Sequence, residues 1–173
     1  MFAIVQNGII LQLIAAGTAF ELDGIQYPAN WCNLSTPEEK AAIGMVDVVY
    51  GPAPSDQYYW VTADAPVYNG QSNQVEINFT ATPKDLVTLQ SGQVSTTNQT
   101  AYSILQPSDW MVVRATETGT DPVPADWNAW RQAIRVQAAD QVAAINACVD
   151  VEQLATLPPV AWLPDPDQPV TGN

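Results

Sequence analysis

Residues 82–85, Thr-Pro-Lys-Asp, separate two kinds of sequence in this chain. Upstream, short β-branched and aromatic runs alternate with turn dipeptides. Downstream, residues 84–106 hold no proline and a single glycine, and a second long helical pattern spans 125–149. Strands first and helices second is the order of an α+β fold rather than of alternating βαβ units. The expected organisation is a β-rich module over 1–82, a helical region over 83–157 and an extended Pro-rich tail over 158–173.

The N-terminal twenty residues are apolar, but no Lys or Arg precedes the run, and Gln6, Asn7, Gly8 and Gln12 interrupt it. That argues against a secretory signal, and the run is too short to span a bilayer. Asn7-Gly8 supplies the paired positive φ angles of a type I′ turn, so Phe2–Val5 and Ile9–Ile14 are expected to form an antiparallel hairpin. Asp23-Gly24 implies a second tight turn, and Asn69-Gly70 is a further turn candidate. One short helix is expected at Thr36-Pro37-Glu38-Glu39. Thr36 is its N-cap, Pro37 its first residue, Glu39 completes a capping box and Gly44 stops it. Met45–Tyr50, Tyr58–Thr62 and the alternating Val75–Thr80 read as strands.

In the second half, Thr82 and Pro83 are expected to start a long helix over 84–106. Met111–Arg114 is expected to be extended. Trp127, Trp130, Ile134, Ala138, Val142, Ile145 and Val149 recur every three or four residues, one apolar stripe on a helix over 125–149. Asp150 caps a last helical turn. The tail after Leu157 cannot build a core of its own.

Five Lys and Arg stand against 18 Asp and Glu, a net charge of −13, and there is no histidine. Such a chain has no electrostatic footprint for nucleic acid or for an anionic membrane. Ser-His-Asp and Cys-His catalysis and His-containing zinc sites are excluded. Cys32 and Cys148 could form at most one disulfide and otherwise read as small buried apolar residues, and no cofactor is implied. Glu38, Glu39, Asp64, Asp85, Asp109, Asp121 and Asp126 are the raw material for a glycosidase-type pair. They lack a flanking motif and read as caps and solvated surface. Six tryptophans and six tyrosines remain. Tyr58, Tyr59 and Trp60 form one aromatic cluster, which suggests a carbohydrate-binding module as an alternative function.

Pro107-Ser108-Asp109-Trp110-Met111-Val112-Val113-Arg114, followed by Trp127-Asn128-Ala129-Trp130-Arg131-Gln132-Ala133-Ile134-Arg135, resembles the C-terminal signature of tailed-phage tail assembly chaperones and tail-fibre assembly proteins. In that family a Leu-Leu-x-x-(Ser/Thr)-Asp-Trp stretch, an acidic Pro-containing loop and a Trp-x-x-(Tyr/Trp)-Arg-Gln-x-(Leu/Ile)-Arg helix recur. Here Ile104-Leu105 stands for the leucine pair, and Trp130 stands where tyrosine is usual. The resemblance covers residues 100–136; the tail after Leu157 has no counterpart in it. It implies a non-enzymatic structural or assembly protein that binds a phage tail-fibre or baseplate protein, with self-association left open. Its location would be the virion tail or the host cytoplasm during assembly. The expected partner-binding residues are Trp110, Trp127, Trp130, Arg131, Arg135 and Trp162, with the tail lying extended on a partner.

Overall fold

The computed structural model describes residues 1–167. The expected tail beyond residue 167 lies outside the described residues. The fold is α+β, with its strands in the first half and its long helices in the second. It divides into two compact units, Met1–Thr82 and Pro83 onward.

In the first unit, β1 (Phe2–Gln6) and β2 (Ile9–Ile14) form the expected hairpin, with Asn7 at φ 52° and Gly8 at φ 80°. The register shifts between Ile4 and Val5, where Leu11 of β2 is left unpaired as a bulge. β3 (Phe20–Leu22) and β4 (Ile25–Tyr27) form a second hairpin through Asp23 and Gly24, again both at positive φ. β5 (Met45–Tyr50) pairs antiparallel with β1 on one side. β7 (Val67–Asn69) and β8 (Gln74–Ile77) complete a five-stranded sheet in the order β2-β1-β5-β8-β7. The sheet is mixed rather than purely antiparallel, because β5 and β8 are parallel. A parallel neighbour needs a long crossover. Residues 51–73 supply it, beginning with Gly51-Pro52-Ala53-Pro54, which carries the chain off the sheet.

The alternating run expected as one strand over Val75–Thr80 is divided. Its first half is β8, and its second belongs to β9 (Phe79–Pro83), which pairs with β6 (Tyr59–Ala63) in a separate two-stranded ribbon. The turn expected at Asn69-Gly70 is present, over residues 70–73 between β7 and β8. The Asn69 side-chain oxygen accepts from the Gln71 and Ser72 N–H groups, and the positive φ falls on Asn73.

Two short helices sit between the hairpins and β5, where one was expected. α1 (Trp31–Leu34) is a single turn, and α2 (Pro37–Ala42) carries the Thr36–Glu39 capping box. They cover one face of the sheet, where Ile4, Ile14, Phe20, Cys32 and Met45 are buried. The Phe20 ring stacks on Tyr27 at 4.6 Å, and Trp31 meets both edge-on. The other face buries Ala3, Val46 and Val75.

In the second unit, α3 (Leu86–Leu105) starts two residues later than the expected 84. β9 runs through Pro83, so Asp85 rather than Thr82 becomes the N-cap. Its weak helix formers are accommodated by local bonds. The hydroxyls of Thr96, Thr97, Thr100 and Ser103 each donate to the carbonyl four residues back. A 3-10 turn at Gln106–Ser108 leads into α4 (Asp109–Thr118). Met111–Arg114 is therefore helical and not extended. Asp109 supplies an acid to the first turn, and nothing breaks the helix until Gly119, at φ 60°. α5 (Ala125–Ala147) and α6 (Val151–Thr156, capped by Asp150) follow. Of the expected stripe, Trp130, Ile134, Ala138 and Ile145 are buried, whereas Val149 lies past the helix end and is exposed. Cys148 takes the buried place beside it. Both cysteines are free thiols.

The Asp85 cap has a pH signature. Its carboxylate accepts from the Thr88 hydroxyl at 2.6 Å and from the Thr88 N–H at 2.8 Å. These bonds, the hydroxyl's first, hold its pKa below the usual aspartate value. A lowered folded-state pKa contributes stability that is present above the unfolded value and is lost as pH falls through the folded one. Asp85→Asn caps without titrating. The expected result is a shallower acid-side decline in the urea midpoint of the second unit; an unchanged pH profile counts against the cap's role.

Candidate protein-interaction site

The second unit is built on the antiparallel pair α3 and α5. At one end, Gln90 of α3 donates its side-chain N–H groups to the carbonyls of Ile145 (2.9 Å) and Cys148 (3.0 Å), closing the α5 C-terminus. At the other end sits Arg131. The residue is 5% exposed, and its guanidinium binds three acceptors around the corner between α3 and α4. One nitrogen donates to the Leu105 carbonyl at 3.0 Å and to the Ser108 hydroxyl oxygen, and the other donates to Asp109 Oδ1 at 2.6 Å. The Ser108 hydroxyl in turn donates to the Leu105 carbonyl at 2.8 Å. A planar fork with several donors can serve such a divergent set; a point charge cannot.

This clamp sets the direction of α4, a helix with no buried residue. Met111 and Ala115 are half-buried, whereas Trp110 (55%), Val112 (41%) and Val113 (54%) face solvent. The 119–124 loop folds back beneath the helix, and Asp121 pairs with Arg114. Between α4 and α5 lies an open trough of about 480 Å³, lined by Val112, Ala115, Val123 and the exposed Arg135.

A second groove, about 280 Å³, lies between the end of α3 and the start of α5. Trp127, Trp130 and Trp162 line it, with the Trp127 and Trp130 rings edge-to-face at 5.4 Å. Trp162 belongs to the Pro-rich segment, which lies extended against this chain's own α5. The Gln141 side chain donates to the Pro158 carbonyl (3.2 Å), Gln137 to the Ala161 carbonyl (2.9 Å) and the Trp130 indole N–H to the Leu163 carbonyl (3.2 Å). The strap thus runs antiparallel to the helix, and Trp162 packs on the cluster of Ala101, Trp130, Ile134 and Ala138.

No protein-family model, curated protein or solved structure matches this chain.

The six expected partner-binding residues therefore separate by location. Trp110 and Arg135 stand exposed on the α4–α5 side. Trp127 and Trp162 are half-buried groove walls. Trp130 and Arg131 face inward, 8% and 5% exposed, and contribute to any surface only by holding it in place. Sequence reasoning missed Ser108, Gln90, Gln137 and Gln141, which make the contacts that fix the unit. The Gln137–Gln141 spacing of one helical turn was the available signal, but its partner lay far along the chain.

The carboxylates are engaged locally. Glu39 completes its capping box, Asp64 accepts from Thr80, Asp85 caps α3, Asp109 and Asp121 pair with arginines, and Asp126 accepts from the Trp127 N–H. Among the described residues no cluster of three or more His, Cys, Asp or Glu is placed to hold a metal ion. Among them, too, no helix is long and apolar enough to cross a membrane.

Proposed function

We propose that this chain is a non-enzymatic structural or assembly protein of a tailed bacteriophage. On this reading it acts at the tail fibre or baseplate and binds other virion proteins through the α4–α5 face. One observation carries the reading. The two halves of the phage-type signature, Ser108-Asp109-Trp110 and Trp130-Arg131, meet through the Arg131 clamp. What the clamp holds out to solvent is Trp110 and its valine neighbours. Exposed aromatic anchors beside an arginine are the residue types that dominate interface energetics. Arg135 on the trough wall suits a partner carboxylate, and the apolar α4 face suits an apolar surface around it.

The test is capture of tail-fibre and baseplate proteins from phage-infected cells by the full chain, identified by mass spectrometry. Trp110→Ala is expected to weaken capture by about 30-fold, the effect of losing an interface anchor of roughly 2 kcal/mol. Its thermal unfolding should stay close to wild type, because the ring is more than half exposed. Capture that survives both Trp110→Ala and Arg135→Ala overturns the proposed face. Stoichiometric presence in purified virions would mark a permanent tail subunit, and absence from them a transient chaperone in the host cytoplasm.

A further inference from the structure

We infer that the outer face of the β6–β9 ribbon in the first unit binds a neutral oligosaccharide, with Trp60 as its stacking platform. The pleat sorts this ribbon's side chains into two sets. Tyr59, Val61, Phe79 and Ala81 are half-buried, and the Phe79 ring stacks against Tyr50 at 6.3 Å. The alternate residues, Trp60, Thr62 and Asp64 on one strand and Asn78, Thr80 and Thr82 on the other side, are all exposed. Trp60 is 66% exposed on this second face, and the other ribbon residues there, Thr62, Thr80 and Thr82, carry hydroxyls, with the Asp64 carboxylate beside them. Of the aromatic cluster at 58–60, it alone is presented in this way, since Tyr58 and Tyr59 are half-buried.

A pyranose ring has a flat face of C–H groups and a rim of hydroxyls. An indole plane matches the first, and short polar side chains around it match the second. The rim here is partly fixed. The Thr80 hydroxyl donates to Asp64 Oδ1 at 2.6 Å, and the Asp64 N–H donates to the Asn78 carbonyl at 2.9 Å. The Thr80 oxygen still accepts, and the carboxylate accepts from sugar hydroxyls. Charge selects the class of sugar. The single charge among these six residues is negative, Lys84 follows two residues after Thr82, and the chain carries −13 overall, a balance that disfavours uronic and sialic acids. A protein partner fits less well, because an interface core surrounds its aromatic anchor with other apolar groups.

The experiment applies the full chain to an array of neutral and acidic oligosaccharides, including bacterial surface polysaccharide fragments. Titration calorimetry on the strongest neutral hit follows. Wild type is expected to bind neutral glycans, Trp60→Ala to weaken binding at least about tenfold, and Trp60→Phe to retain most of it. The Thr62→Val, Thr80→Val pair should weaken binding while Trp60 is intact. A blank array, a preference for acidic glycans, or binding that survives Trp60→Ala overturns the inference. So does a Trp60→Ala variant that loses protein capture with no glycan bound by wild type. Thermal unfolding of each variant shows whether a loss reflects the site or the fold.

Discussion

Replacing Arg131 by leucine is expected to destabilise the second unit by about 3 kcal/mol and leave the stability of the first one unchanged. The substitution removes the donors to the Ser108 hydroxyl oxygen and to Asp109, and one of the two donors to the Leu105 carbonyl, all at one corner. Ser108 is 1% exposed, so its hydroxyl oxygen cannot turn to water for a replacement donor. Removing one partner of a buried ionic network costs about 3–5 kcal/mol. Asp109 is nearly half exposed and rehydrates, which places the expected loss near the lower end, at about 3 kcal/mol. That is a large fraction of the 5–15 kcal/mol typical of a whole domain. Hydrogen exchange read segment by segment separates the units: amides from residue 83 onward lose protection while those of β1 and β5 keep theirs. Arg131→Lys keeps the charge without the fork and is expected to recover less than half of the loss. If both variants exchange as wild type does, the corner is not held by this side chain.

The largest effect in the first unit is expected at Gly44. It ends the α2 segment at φ 70°, a conformation that costs an L residue roughly 1 kcal/mol or more. A Cβ there would lie 2.3 Å from the Val5 carbonyl oxygen, while the Val5 N–H donates to the Gly44 carbonyl at 2.8 Å. Val5 pairs with Ile10 beside the Leu11 bulge of β2, so its backbone cannot withdraw without disturbing β1 pairing. Strain and collision together make Gly44→Ala cost on the order of 3 kcal/mol. Gly119→Ala is the matched control. It has a similar φ of 60°, but its Cβ would meet nothing within 4 Å, so it carries the conformational cost alone, about 1 kcal/mol. Equal losses in urea unfolding of the two variants would show that the approach to Val5 is unimportant.

These two sites show what sequence can and cannot carry. Gly44 was legible as a helix stop because a positive φ after a capped Pro-Glu-Glu turn is a local requirement. The same holds for Asn7-Gly8, Asp23-Gly24, the Thr36 capping box and the Asp150 cap. The buried stripe of α5 was legible because its period survives any tertiary arrangement. The collision with Val5 was not, since it depends on a strand about forty residues upstream. The parallel β5–β8 pair was hidden for the same reason. α4 was misread because Val112-Val113 favours strands, and tertiary anchoring of its first turn by Arg131 outweighed that local preference. At the candidate interaction site, residue types were legible and directions were not. Trp110 and Trp130 look alike in sequence, yet one lies on solvent and the other donates to a strap more than thirty residues away. Trp60 was noticed in a cluster of three, but only the pleat of a real ribbon shows which ring turns outward.

The strap along α5 also orders events in time. A ribosome delivers α3, α4 and α5 before it delivers Trp162 and Leu163, so a nascent chain holds Trp127 and Trp130 beside a groove with one wall still unmade. The helical unit gains that wall only when the late segment has been delivered.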